Sequence, residues 1–132
     1  MFKKFLFEFK IFFYIANIIL ISLYIFPGSI LGWFLYNDAG LQPQISPDFL
    51  VSSNHVFAFS VLTILGYLSY ESKKLKLVFI YLFFISIFLE LLHLIIPNRG
   101  FEYPDLFGNI IGVLIIYIFF NFTKFFLRKD DK

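Results

Sequence analysis

The chain consists mainly of long apolar stretches separated by short polar ones. A helix needs about 20 mostly apolar residues to cross the hydrocarbon core of a bilayer. Four stretches meet that requirement, so we predict an all-α integral membrane protein with transmembrane helices at about residues 11–31, 49–70, 75–96 and 106–127. Because these runs are continuously apolar and do not alternate, they favour helices over the strands of a membrane barrel.

The first apolar stretch is longer than one simple crossing and is interrupted by Pro27-Gly28. We predict that its last part, around Trp33 and Tyr36, is tilted or lies at the membrane interface. A cleaved signal peptide is the alternative, but its apolar segment would be only about 7–15 residues long and would end in a small-x-small pattern. That pattern is missing here, so an uncleaved span is the better interpretation.

Composition narrows the class of protein further. Of 132 residues, 60% are hydrophobic and only 15% are charged, whereas an ordinary soluble domain carries about 25% charged residues. A chain of this length cannot bury so much apolar surface, which excludes a soluble globular enzyme. The absence of cysteine excludes disulfides and cysteine nucleophiles. A net charge of +2 gives no reason to expect a nucleic-acid partner.

Basic residues predict the orientation, because lysine and arginine concentrate in cytoplasmic segments. Of the 11 basic residues only Arg99 lies in a predicted outer loop. The others flank the inner ends of the spans: Lys3, Lys4, Lys10, Lys73, Lys74, Lys76, Lys124, Arg128, Lys129 and Lys132. We therefore expect one multi-pass domain, residues 1–132, with both termini in the cytoplasm and the loops at residues 37–48 and 97–104 facing outward.

Ionisable residues within the later spans gather toward their outer ends. A charged group at the bilayer centre costs at least about 2.5–3.5 kcal/mol, so each one calls for an explanation. The polar residues concerned are His55 in the second span, Glu90 and His93 in the third, Asp105 and Asn109 in the fourth, and Arg99 in the loop between the last two. Three helices thus place polar groups at one depth.

The spacings predict that these residues converge on one pocket. Glu90 and His93 share a helix face, because they are three positions apart. His55 and Glu90 each lie roughly 10 Å from the outer end of their span, so two antiparallel helices would bring them together. Gly108 and Gly112 form a small-xxx-small pair that lets a neighbouring helix approach the fourth span closely.

Several of these residues also have a purely structural interpretation. Glu90 and Arg99 would form a pair that holds the third and fourth spans together. His55 would be a hydrogen-bonded interior residue, and Asn109 a bridge between helices. Asp105 would stabilise a helix start near the positive end of its dipole. These interpretations leave the one-sided distribution of ionisable groups unexplained, so we favour a functional pocket.

The residues from Glu90 onward also carry a recognisable spacing. They read Glu90-Leu91-Leu92-His93, Pro97, Arg99, Asp105, Asn109 and Gly112. This resembles the VanZ-like family, whose signature is Glu-Leu-x-Gln, a Pro near an Arg, Asp six positions after the Arg, Asn four later and Gly three later. His93 stands in place of the glutamine. The family also has a histidine early in the second span, which matches His55 without the preceding Asp-Lys.

The resemblance covers about residues 49–116 and implies a four-helix protein of the bacterial inner membrane. The family is named for a teicoplanin-resistance protein and is linked to glycopeptide antibiotic resistance. The resemblance therefore implies a cell-envelope lipid or a lipid-linked precursor as the ligand. The resemblance predicts the fold more specifically than it predicts any chemical reaction.

Three functions remain open for the predicted pocket. In the first, Arg99 clamps the phosphate of a lipid headgroup, and His55, His93, Asp105 and Asn109 make further polar contacts. In the second, an envelope-lipid hydrolase or transferase uses Glu90 or His55 as general base. In the third, the chain is an accessory subunit of a larger membrane complex. We favour recognition of an anionic lipid or lipid-linked precursor.

A metal site is a further alternative, with His55, Glu90, His93 and Asp105 as ligands. The Glu-x-x-His pair occurs once in this chain, whereas di-iron bundles use two such motifs. From the sequence we therefore predict no metal and no cofactor.

Overall fold

The apolar stretches form helices throughout. The computed structural model describes the backbone of residues 2–130 and the side chains of residues 8–126, and within that range the protein is all-helical without strands. The helices are α1 (Phe2–Ile25), α2 (Ile30–Tyr36), α3 (Ser53–Ser69), α4 (Ser72–Leu92) and α5 (Tyr103–Asp130). Three segments are long and apolar enough to cross a membrane, namely Glu8–Ile25, Ser72–Leu92 and Tyr103–Phe126.

The predicted first crossing is divided in the structure. Helix α1 ends at Ile25, six residues before the predicted end at Leu31, because Pro27 cannot donate a helical hydrogen bond and Gly28 adopts a φ of 103°. A short helix, α2, then begins at Ile30 after the N-cap residue Ser29, whose hydroxyl accepts a hydrogen bond from the Gly32 amide at 2.9 Å. Trp33 and Tyr36 therefore belong to a separate short helix.

The other helices lie close to the predicted spans, with shifted ends. Helix α3 has 17 residues and begins at Ser53, so Phe49 and Leu50 precede it and are largely exposed. Helix α4 is displaced toward the N-terminus and ends at Leu92, before the turns at residues 93–96. Helix α5 extends beyond the predicted span at both ends.

Large apolar side chains cover the outside of the helices. Phe84 is 72% exposed, and Phe12 and Phe119 are also more than half exposed. A water-soluble monomer rarely exposes such an extensive apolar surface. Together with the three spanning-length helices, this surface is consistent with a multi-pass membrane protein.

Helix α3 packs against α1, α4 and α5, and two glycines allow its close approach to α5. A Cβ atom on Gly112 would lie 2.6 Å from the Val56 carbonyl oxygen, and one on Gly108 would lie 2.8 Å from that of Ser52. No side chain fits at those distances. The small-xxx-small pair on α5 is therefore the surface against which α3 packs, as the sequence predicts.

Replacing Gly112 by alanine tests this close approach. The added methyl group meets the backbone of α3, which cannot move aside as a flexible side chain would, so we expect Gly112→Ala to destabilise the bundle by about 1–3 kcal/mol. The measurement is thermal unfolding of the detergent-solubilised protein. The control is Gly100→Ala, where a Cβ atom meets nothing within 4 Å. Equal midpoints for the two variants would contradict the packing.

Candidate functional site

Polar side chains from four helices meet at one end of the bundle. This is the end at which α1 and α4 terminate and α3 and α5 begin, and we call it the polar end. The residues that meet there, named the polar cluster below, are Tyr24, His55, Glu90, His93, Asp105 and Asn109. Five of these polar side chains are buried, and Asp105 is partly buried.

The three ionisable residues from separate helices are close together. His55 Nδ1 of α3 lies 3.0 Å from Asp105 Oδ1 of α5. One potential ligand atom from each of His55, Glu90 and Asp105 lies within 4.8 Å of the others. This contact brings the two side chains into electrostatic range, and His55 Nδ1 makes no hydrogen bond of regular geometry within the described part of the chain. The predicted approach of His55 to Glu90 is thus present in the structure.

Glu90 is completely buried, and only one of its oxygens has partners. Oε1 accepts a hydrogen bond from the Glu102 amide at 3.2 Å and lies 3.3 Å from His93 Nδ1. Oε2 has no hydrogen-bond partner among the described residues. The other nitrogen of His93, Nε2, is 3.2 Å from the Tyr24 carbonyl oxygen and must donate to it. A hydrogen bond between His93 and Glu90 therefore requires one further proton, on either residue.

Tyr24 of α1 is a central member of the cluster that sequence reasoning missed. Its ring stacks on His93 with centroids 5.3 Å apart, and it lies 5.5 Å from the ring of His55. Its hydroxyl donates to Asn109 Oδ1 at 2.6 Å, and Asn109 Nδ2 donates to the Ser86 carbonyl at 3.0 Å. Asn109 thus bridges α1, α4 and α5. The sequence contained one signal of this role, because Tyr24 is an aromatic residue with a hydroxyl group one turn before the helix break at Pro27.

Arg99 caps the end of α1. Its Nε donates to the Phe26 carbonyl at 3.1 Å and its Nη2 to the Leu23 carbonyl at 2.6 Å. The Leu23 carbonyl lacks its helical donor, because the residue four positions later is Pro27. The predicted structural pairing of Arg99 with Glu90 is not formed: between residues 8 and 126, the ion pairs are His55 with Asp105 and His93 with Glu90.

The guanidinium of Arg99 keeps unused donors. Two of its five N–H groups bind the carbonyls of α1, which leaves three without a protein acceptor in the described part of the chain. Burial lowers the pKa of Arg99 from its usual value, while the nearby Tyr24, Glu90 and Asp105 act in the opposite direction. The group stays charged, since arginine does not lose its proton in proteins.

A groove of about 490 Å³ runs between α1 and α3 and reaches the polar end. Its walls are mostly apolar, with Leu20 and Leu23 on α1 and Ala58 and Leu62 on α3. At the polar end the lining includes Tyr24, His55, His93 and Arg99, and the polar residues Ser29, Gln42, Gln44 and Asn54 also line the groove. Exposed side chains at the edge, such as Val61, show that the groove opens sideways to the surroundings.

The loop before α3 forms the rim of this groove. Asn54 holds that loop, because its Nδ2 donates to the Pro43 carbonyl at 2.6 Å and its Oδ1 accepts from the Ile45 amide at 2.8 Å. Asp48 accepts a hydrogen bond from the Ser53 amide at 2.7 Å and so stabilises the first turn of α3. The rim therefore has fixed contacts with the helix that carries His55.

Polar residues near the opposite end are satisfied differently. The hydroxyl groups of Thr63 and Ser69 bond to carbonyls four residues back in their own helix. Other contacts cross between helices: Tyr81 of α4 donates to Asn17 of α1, and the hydroxyl groups of Tyr14 and Tyr70 lie 3.0 Å apart. These groups need no ionisable partner, so the concentration of buried charge at the polar end is a specific feature of the molecule.

The residues of the spaced motif converge on the polar end. Glu90, His93, Asp105 and Asn109 belong to the polar cluster, and Arg99 lines the groove beside it. No family model, no curated protein and no solved structure matches the chain. A functional assignment therefore depends on the geometry of the groove and the polar cluster.

Removing the Tyr24 hydroxyl tests the bridge to Asn109. In Tyr24→Phe the buried Asn109 oxygen loses its donor, and leaving a buried polar group unpaired costs about 1–3 kcal/mol. We expect a lower thermal midpoint in detergent. The control Tyr36→Phe should be unchanged, because Tyr36 is 56% exposed and lies outside the bundle core. If both variants unfold at the wild-type temperature, the hydroxyl does not support the cluster.

Proposed function

We propose that the chain is a four-span protein of the bacterial inner membrane that recognises an anionic lipid or a lipid-linked envelope precursor. The lipid tail would occupy the apolar groove between α1 and α3, and the phosphate would face Arg99. The observation that carries the proposal is a sideways-open apolar groove that ends at a partly buried, incompletely bonded arginine.

The packing of α3 supports a fourth span. Although α3 has only 17 residues, it packs against α1, α4 and α5, each of which contains a segment long enough to cross a membrane. A helix in contact with all three would lie at the same level of the bilayer, and about 17–25 residues is the usual range for a span. The distribution of lysine and arginine supports cytoplasmic termini and an outward-facing polar end.

The dimensions of the groove suit part of a lipid. Its volume of about 490 Å³ falls within the range of about 300–1,000 Å³ that is typical of small-molecule sites. From Ala16 to Tyr24 the lining of α1 extends roughly 12 Å along the axis, enough for the upper part of an acyl chain. The apolar walls match the tail, and the polar end matches a headgroup.

The free donors of Arg99 supply the headgroup contact. Guanidinium binds phosphate through two parallel N–H groups, and charge-assisted bonds of this kind are about twice as strong as neutral ones. Two bonds to α1 already fix the side chain, so less conformational freedom is lost when phosphate binds. The carboxylates nearby would repel an anion, but His55 and His93 stand between them and the groove.

The motif spacing supports the same class of ligand. The run from Glu90 to Gly112 resembles the VanZ-like family, which is linked to glycopeptide antibiotic resistance, and we propose that the chain is a member. Resistance to drugs that bind cell-wall precursors would be consistent with a lipid-linked precursor in the groove. On this proposal the motif arginine contacts the ligand, and the motif acid and asparagine hold the helices around it.

Lipid selectivity tests the proposal. The protein is incubated in detergent with phosphatidylglycerol or phosphatidylcholine, and the retained lipid is counted by native mass spectrometry. We expect the anionic lipid to be retained at least about tenfold better, and we expect Arg99→Gln to remove that preference. Lys74→Gln is the matched control, because it removes one positive charge at the opposite end of α4.

A second variant separates lipid binding from the structural role of Arg99 at α1. Ala58→Phe fills the apolar part of the groove and leaves the bonds of Arg99 to α1 unchanged. We expect it to retain neither lipid. Preference for phosphatidylglycerol that persists in both Arg99→Gln and Ala58→Phe would contradict the proposal.

Membrane orientation is testable because the chain contains no cysteine. Single cysteines are introduced at Gln44 and at Lys74, which the proposal places on opposite sides of the membrane. A membrane-impermeant maleimide added to intact spheroplasts should label Gln44→Cys and should label Lys74→Cys only after lysis. Labelling of Lys74→Cys in intact spheroplasts would contradict cytoplasmic termini.

A further inference from the structure

Among residues 8–126, two buried atoms of the polar cluster make no hydrogen bond. They are Glu90 Oε2, on a side chain with no exposed surface, and His55 Nδ1, on a side chain that is 7% exposed. An unsatisfied buried polar group costs about 1–3 kcal/mol, and more when it is charged. Both atoms belong to the group of three residues whose potential ligand atoms lie within 4.8 Å of one another.

The charge balance of this group is also incomplete. Glu90 and Asp105 bring two carboxylates into one largely buried space, and Arg99 uses its bound donors on the carbonyls of α1. The cations in direct contact are His55 and His93, and only when protonated. Burying net negative charge in apolar surroundings is costly, so the site favours a cation between the two acids.

We propose that His55, Glu90 and Asp105 bind one divalent transition-metal ion at the polar end of the bundle. The charge of two carboxylates would be balanced by such an ion. The imidazole ligand selects zinc or a similar metal over magnesium and calcium, which prefer oxygen ligands alone. This inference goes beyond lipid recognition and does not depend on it.

The distances need only small side-chain movements. Ligands at about 2.0–2.2 Å from one zinc ion lie roughly 3–3.5 Å apart. His55 Nδ1 and Asp105 Oδ1 are already 3.0 Å apart, and no pair in the group exceeds 4.8 Å. One Glu90 oxygen already lies within 4.8 Å of the other two ligand atoms, so shifts of roughly 1–2 Å bring the set to zinc distances.

The surrounding residues already hold the ligands in place. The Glu102 amide donates to Glu90 Oε1, and His93 in its protonated form donates to the same oxygen, which leaves Oε2 free for the ion. The ring of Tyr24 packs against His55 at 5.5 Å. Outer contacts of this kind orient metal ligands and raise affinity about 10–100-fold. His93, a candidate ligand on the sequence pattern, is therefore a positioning residue in this proposal.

Three protein ligands leave one coordination position open. His55 lines the groove, so the open position would face the space in which a headgroup would lie. A water molecule or a phosphate oxygen from the groove could complete the coordination. The metal would then connect the two sites without either one requiring the other.

Zinc binding to the full chain tests the proposal. The protein is purified in detergent, treated with a chelator, dialysed and titrated with Zn²⁺ by calorimetry in the absence of added lipid. We expect about one ion per chain and a higher thermal midpoint in its presence. Glu90→Gln and Asp105→Asn keep the side-chain shapes and should each weaken binding at least about 100-fold. Glu71→Gln is the control, at the opposite end of α4.

Two further comparisons make the result decisive. His93→Gln should keep the stoichiometry and weaken zinc about 10–100-fold, as expected for a positioning residue. Excess Mg²⁺ should not compete. Absence of zinc binding in the wild type, equal binding by Glu90→Gln, or displacement of zinc by Mg²⁺ would each overturn the proposal. Because these measurements use no lipid, their failure would leave the Arg99 proposal standing, and the reverse also holds.

Discussion

The structure depends on the cost of leaving polar groups unpaired in apolar surroundings. Helices α1, α3, α4 and α5 each bring at least one polar side chain to the same end of the bundle, where most of these side chains are buried. Several of the groups satisfy one another: Asn109 connects Tyr24 to the backbone of α4, and the Glu102 amide donates to Glu90 Oε1. The polar cluster therefore links the four long helices, and what it leaves unsatisfied identifies where a ligand would be favoured.

Hydropathy alone predicted that the chain is helical and where the long apolar helices lie, because a continuous apolar run has few other stable forms in a membrane. It predicted the helix ends less well. The division between α1 and α2 depends on Pro27, the positive φ of Gly28 and the cap at Ser29, which are local backbone effects. Hydropathy also placed the start of α3 too early, because Phe49 and Leu50 are apolar and look like part of a span. The helix begins at Ser53, whose amide donates to Asp48.

Depth was enough to predict that His55 approaches Glu90, because antiparallel helices place equal depths side by side. It was not enough to find Tyr24 or the contacts of Arg99. Those depend on which face of α1 meets the other helices, and a helix whose sides are nearly all apolar gives little sign of its rotation. Arg99 also binds backbone carbonyls, and a sequence does not show which carbonyls lack a partner until the helix end is known.

The backbone also determines the geometry of the site. At Gly108 a Cβ atom would lie 3.0 Å from the Cβ of His55. Because Gly108 has no side chain, α3 and α5 approach closely enough for Asp105, one turn from Gly108, to contact His55. Pro27 leaves the Leu23 carbonyl without a helical donor, and Arg99 supplies one. That bond holds the loop between α4 and α5 over the cluster, where the Glu102 amide binds Glu90. The helix break at Pro27 and the close packing at Gly108 thus determine where the helices meet at the polar end, and the ionisable side chains form their contacts there.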